Sequence, residues 1–115
     1  MNKIISDGRK KKLLCDSYSK CVRASEFLSA IGNPIRVAIV CYLTTGEKTV
    51  KEIVEKLKMK EPTVSLNLYR LYRAGWVTRR KVGRSVYYKL KSEKYKKILE
   101  EVSELYVSQD HKISV

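Results

Sequence analysis

At 115 residues the chain has room for one domain, and its 43% hydrophobic content allows a core. Twenty-five Lys and Arg against 12 Asp and Glu leave a net charge of +13. That surplus favours a polyanionic partner, double-stranded DNA ahead of an anionic membrane. It comes with no apolar run near the roughly 20 residues of a membrane span and no apolar stretch of signal-peptide type in Met1 to Lys12, so a cytoplasmic protein is expected.

The first segment, residues 1–12, is a basic arm carrying Arg9, Lys10, Lys11 and Lys12. It is either solvated or laid on a phosphate backbone. Residues 13–107 read as one domain, and 108–115 as a short tail. A helical pattern runs from Leu13 to Ile31 through Leu14, Tyr18, Cys21, Ser25 and Leu28 until Gly32-Asn33-Pro34 breaks it. A second helix starts at Pro34 and runs to about Leu43, with Ile35, Ala38, Ile39 and Tyr42 inward.

Thr49 followed three residues later by Glu52 is a capping box, which predicts a third helix from about Val50 to Lys58 burying Ile53, Val54 and Leu57. A tight connection leads to Glu61–Trp76. There Pro62 suits a first helical turn, Val64, Leu68 and Leu71 form an apolar stripe, and Gly75 suits a left-handed stop. Two short helices across a short turn form a helix-turn-helix. The face given to DNA would carry Thr63, Ser65, Leu66 and Tyr69 for base contact, with Lys60, Glu61 and Asn67 beside them and Arg70 and Arg73 for phosphate.

After Gly75 the period changes to two. Trp76 to Val82 and Ser85 to Lys91 read as strands joined by a two-residue type II′ loop with Gly83 first. Arg79, Arg80, Lys81, Arg84, Lys89 and Lys91 make this hairpin cationic, with no acid in it. Lysines that merely protect an exposed edge would explain one or two of these charges. A one-sign cluster directly after the reading helix is better read as a DNA-touching wing, with Arg84 at its tip. The last helix, from about Glu93 to Val107, carries Tyr95, Ile98, Leu99, Val102, Leu105 and Tyr106 on one side and Glu100, Glu101 and Glu104 opposite. With Leu14, Tyr18 and Cys21 of the first helix it offers a surface for a homodimer, or it completes the core of one copy. The fold expected is mostly α with a small β-hairpin: four helices, two strands and a fifth helix in winged helix-turn-helix order.

Other chemistries are poorly served. There is no Ser/His/Asp set and no phosphate-cradling glycine loop, so an enzyme is not expected. Cys15, Cys21 and Cys41 are irregularly spaced and His111 is the single histidine, so neither an intrachain metal site nor a cofactor is expected. Cys15 and Cys21 sit about 120° apart on a regular helix and cannot bridge there.

The chain resembles the ArsR/SmtB-type winged-helix repressors. The resemblance is carried by L-S-A-I-G-N-P-I-R-V-A-I-V at Leu28–Val40, by E-P-T-V-S-L-N-L-Y-R-L-Y-R-A-G-W-V at Glu61–Val77, and by G-R-S-V-Y-Y-K-L at Gly83–Leu90. It implies a homodimer through the first and last helices that represses a promoter until a chemical signal arrives. Metal sensors of that family place cysteines where this chain has Thr49, Val50 and Lys51, and a lysine there would repel a cation. Its thiol or persulfide sensors place one cysteine late in the second helix, matched by Cys41, and another near the end of the last, where this chain has Val107. Cys21 or Cys15 could substitute. Lys60, Glu61, Leu66 and Asn67 differ from the family's usual residues, so the preferred DNA sequence does not carry over. The alternatives are a basic architectural protein coating DNA without an inducer, a metal-responsive repressor, and a module that binds an acidic protein.

Overall fold

The structure is a computed structural model and describes residues 16–107. The basic arm, Leu14, Cys15 and the 108–115 tail lie outside the described residues. Helix α1 spans Tyr18–Ser29, and Leu13, where the expected pattern starts, lies outside the described residues. Ser17 sits before it in extended backbone, φ −152°, and the turn through Ala30, Ile31 and Gly32 closes it. Helix α2 spans Pro34–Leu43. Its start is fixed twice. Pro34 needs no N–H partner, and the Asn33 side chain accepts from the backbone N–H of Ile35 and Arg36 at 2.9 and 3.2 Å.

A two-residue strand β1, Lys48–Thr49, precedes helix α3, Val50–Leu57. The capping box closes in both directions, Glu52 N–H to Thr49 Oγ1 at 3.2 Å and Thr49 N–H to Glu52 Oε1 at 2.8 Å. Helix α4 is Glu61–Arg73, followed by strands β2 (Val77–Val82) and β3 (Ser85–Leu90) and helix α5 (Glu93–Val107). The sheet order is β1-β3-β2, antiparallel throughout, so the hairpin has an unforeseen third strand against it. Two residues are too few for an alternating pattern to show.

The core lies where α2, α3 and α4 meet the base of the hairpin. Ile39, Val40, Ile53, Val64, Leu68, Leu71 and Trp76 are fully buried. Each such aliphatic side chain contributes about 1.5–3 kcal/mol by leaving water. On α2 the burial falls on Ile39, Val40 and Leu43, whereas Ile35, Ala38 and Tyr42 are only half-buried. Trp76 then ties the outer helices down. Its ring stacks on Phe27 of α1 with centroids 4.2 Å apart, tilts against Tyr95 of α5 at 5.0 Å, and its Nε1–H donates to the Phe27 carbonyl at 2.7 Å.

That anchoring corrects part of the expected dimer face. Tyr95 packs on Trp76 and Phe27, and Leu99 belongs to the chain's own core. The apolar stripe of α5 is two stripes. One, through Tyr95 and Leu99, turns inward. The other, Ile98, Val102, Leu105 and Tyr106, stays in water with Tyr18 of α1, and Leu105 and Tyr106 are 59% and 63% exposed.

Candidate nucleic-acid interface

The turn between α3 and α4 depends on backbone conformation. Lys58 adopts the left-handed region, φ 55° and ψ 48°, and the Met59 N–H reaches back to the Val54 carbonyl at 3.3 Å. This wrap closes α3 without glycine and turns the chain into α4. Helix α4 starts after Lys60, whose side chain gives no cap, with Pro62 in the first turn. It stops where Gly75 takes φ +88° and Trp76 N–H bonds the Leu71 carbonyl at 3.0 Å.

Val64, Leu68 and Leu71 face the core, as their spacing predicts. On the far side Ser65, Leu66, Tyr69, Arg70 and Arg73 are exposed, with Leu66 and Tyr69 about half in water (51% and 50%). Lys60 and Glu61 are exposed at the N-terminal end, and Thr63 is half-buried on the flank. Asn67 departs from expectation. It is only 8% exposed, because positions 64, 67, 68 and 71 follow the i, i+3, i+4, i+7 rule of one helix face. Its Oδ1 accepts from Arg36 of α2 at 2.9 Å and its Nδ2 donates to the Thr63 carbonyl at 2.8 Å. Its side chain is bonded toward α2 and back along α4, apart from the exposed face that carries Ser65, Leu66 and Tyr69.

The hairpin meets α4 near both ends of the helix. At one end Arg84, at the tip, and Glu61 line the same cleft of about 340 Å³ together with Lys51 of α3. At the other end the Arg79 guanidinium lies 4.2 Å over the Tyr72 ring of α4. The tip is a two-residue loop, Val82 pairing with Ser85, in which Gly83 takes φ +61° and Arg84 does not share the positive φ. That is the type II′ geometry.

The wing cations differ in what holds them. Arg80 makes two bonds to Glu47, Nε to Oε2 at 2.8 Å and Nη2 to Oε1 at 2.9 Å, and lies 5.0 Å over Tyr87. The Arg80 guanidinium holds the Glu47 carboxyl below the usual carboxylate range. Lys81 and Arg84 are exposed, and among the described residues neither has an ion-pair partner. The Glu47 contact spans 33 positions and left no local signal in the sequence.

Behind this surface, α2 and α5 leave an apolar groove of about 460 Å³ lined by Val37, Cys41, Ile98, Val102 and Tyr106. Cys41 is half-buried there, and its burial pushes the thiol pKa up. Cys21 is half-buried on α1. Among the described residues no three His, Cys, Asp or Glu side chains come together as a metal-binding group, and no single helix is long and apolar enough to cross a membrane.

Residues 33–79 match the family described as bacterial regulatory protein, arsR family. The chain is 42% identical over 67 residues to the HTH-type transcriptional repressor SmtB of Mycobacterium tuberculosis, a match covering 58% of this chain and 50% of that protein. It thus spans about half the length of that relative. Over 87 residues it is 36% identical to an HTH-type transcriptional regulator of Methanocaldococcus jannaschii, covering 75% of this chain and 98% of the relative. Its structure resembles a homodimeric winged helix-turn-helix DNA-binding domain from Mycobacterium bovis. That likeness has a TM-score of 0.72 and 25% identity, over 80% of this chain and 84% of that one.

Proposed function

The chain belongs to the arsR family of bacterial regulatory proteins, and from that premise we propose that it is a cytoplasmic, homodimeric, sequence-specific DNA-binding repressor of transcription. The observation that carries the reading is the juxtaposition of α4 and the wing: an exposed helix face of Leu66, Tyr69, Arg70 and Arg73, with a cationic hairpin that meets the helix near both its ends. In this reading α4 enters a major groove with Thr63, Ser65, Leu66 and Tyr69 toward base edges. Arg70, Arg73, Arg79, Lys81 and Arg84 neutralise phosphate, Arg84 reaching a minor groove. Two copies joined through α1 and α5 place two α4 helices in successive grooves about 34 Å apart, so the site is a pseudo-palindrome. The exposed apolar row on α5 supports that pairing.

Enrichment of duplexes from a random pool by the whole protein tests this reading. A pseudo-palindrome held against excess bulk DNA is expected. Binding without any enriched sequence would instead favour an architectural protein, which the +13 charge also suits.

The release signal we assign is oxidation or persulfidation at Cys41. What supports it is position: Cys41 lines the α2–α5 groove, so a larger sulfur group there would push α2 and the α4 packed on it. The raised thiol pKa keeps little thiolate at neutral pH, which makes the reaction slow. Operator binding of Cys41→Ser is expected to be indifferent to peroxide and polysulfide. A variant that responds as the wild type does removes Cys41 from the switch.

A further inference from the structure

Neither Asn67 nor Arg36 is among the residues proposed to touch DNA, yet Asn67 is the one buried polar side chain among the described residues. A leucine at this place on the stripe between Val64 and Leu68 would pack without needing partners. The asparagine is instead bonded at both ends of its amide. Its Oδ1 takes the Arg36 Nη1–H at 2.9 Å, and its Nδ2 donates at 2.8 Å to the Thr63 carbonyl, one turn back on α4. Arg36 also donates from Nε to the Ala30 carbonyl, where α1 ends, and its own backbone N–H is held by Asn33. One continuous chain of hydrogen bonds therefore runs from the α1–α2 corner through α2 into α4.

Apolar contact is non-directional and tolerates sliding or rolling of one helix on another. A hydrogen bond does not, because it weakens steeply as its angle falls towards about 120°. The distinction matters for a reading helix. With side chains about 5–6 Å from the axis, a roll of about 20° moves their tips by about 2 Å, enough to break a contact to a base edge.

We propose that Arg36 and Asn67 are a positioning pair that fixes the roll of α4 against the α1–α2 corner, and so sets how sharply the helix discriminates between DNA sequences without touching DNA. The inference rests on the regulator reading above. Polar groups buried for specificity of arrangement rather than for stability have precedent in general.

The test uses the full chain, the duplex that the wild type enriches from a random pool, and mixed-sequence genomic DNA as the unspecific probe. Asn67→Leu changes no charge, so its salt dependence and its affinity for mixed DNA are expected to match the wild type, while its preference for the enriched duplex falls about tenfold or more. Arg36→Lys keeps the charge but loses the planar fork that serves two acceptors, and it should show the same loss of preference. Circular dichroism and thermal melting identify which variants are folded, and Arg36→Lys decides the matter if Asn67→Leu is not. A folded variant that keeps the wild-type preference, or one that loses both affinities equally, overturns the pair. A wild type that enriches no sequence overturns the regulator reading and this inference with it. A wild type that does enrich one, beside unaffected variants, overturns the inference alone.

Discussion

The face made by α4 and the wing and the face made by α1 and α5 both hold large side chains in water, but their surroundings differ. On the first, Leu66 and Tyr69 share the exposed side of α4 with Arg70 and Arg73, and the wing adds exposed Lys81 and Arg84. On the second, Ile98, Val102, Leu105 and Tyr106 form an unbroken apolar row at i, i+4, i+7 and i+8, with Glu101 and Glu104 beside Leu105. Isolated apolar groups among cations suit a polyanion that offers both phosphates and base edges. A continuous row bordered by acids is repelled by that polyanion and suits a protein surface. A net charge of +13 hides this division, because the positive excess is not spread evenly.

The largest expected effect comes from breaking the apolar row. Val102→Glu puts a charge in its middle, on a side chain that is 44% exposed within one copy, so the fold should survive. Sedimentation should then show a monomer with native helix content. Operator affinity should fall by about 10²–10⁴, the range lost when two linked binding events become independent. A variant that remains dimeric, or a monomer that binds as well as the wild type, would detach α5 from DNA binding.

Arg84→Ala probes the other face. Removing one phosphate contact should weaken binding almost equally for all sequences and flatten the dependence of log K on log salt by about 0.9. An unchanged slope in a titration from low to moderate salt would show that the wing tip does not reach DNA.

Most of the frame behind these expectations is readable from local rules. The capping box at Thr49 and Glu52, the stop at Gly75, the stripe through Val64, Leu68 and Leu71 and the Gly83 hairpin each need only a few neighbouring residues, and each stands as expected. What was not legible depends on residues far apart in the chain. The Glu47–Arg80 pair and the Arg36–Asn67 pair span 33 and 31 positions. Strand β1 exists only because β3 lies beside it. Asn67 was legible in principle, since its place on the stripe is set by spacing, but its polarity outweighed its position. The α5 stripe reads as one surface in sequence and divides in two only when Trp76 takes Tyr95.

The smallest effect concerns where the DNA-facing surface ends. Strand alternation puts Arg79 on the sheet face shared with Val77 and Tyr88, and Arg80 on the opposite face with Tyr87 and Glu47. If phosphate reaches Arg80, it competes there with the Glu47 carboxylate. Because Arg80 depresses the Glu47 pKa, the pair is intact at neutral pH. Whatever it adds to stability is present above the ordinary glutamate pKa and is lost as pH falls through the depressed one. Glu47→Gln should therefore raise affinity at neutral pH about two- to threefold and steepen the salt slope by less than about 0.9, since a guanidinium already neutralised becomes free. Lowering the pH should bring the wild type towards the variant, because protonating Glu47 frees the same guanidinium. If affinity and slope are unchanged at both pH values, Arg80 lies beyond the DNA. The reading surface is then α4 with only one face of the wing, and the Glu47 pair serves to hold the hairpin against the turn before β1.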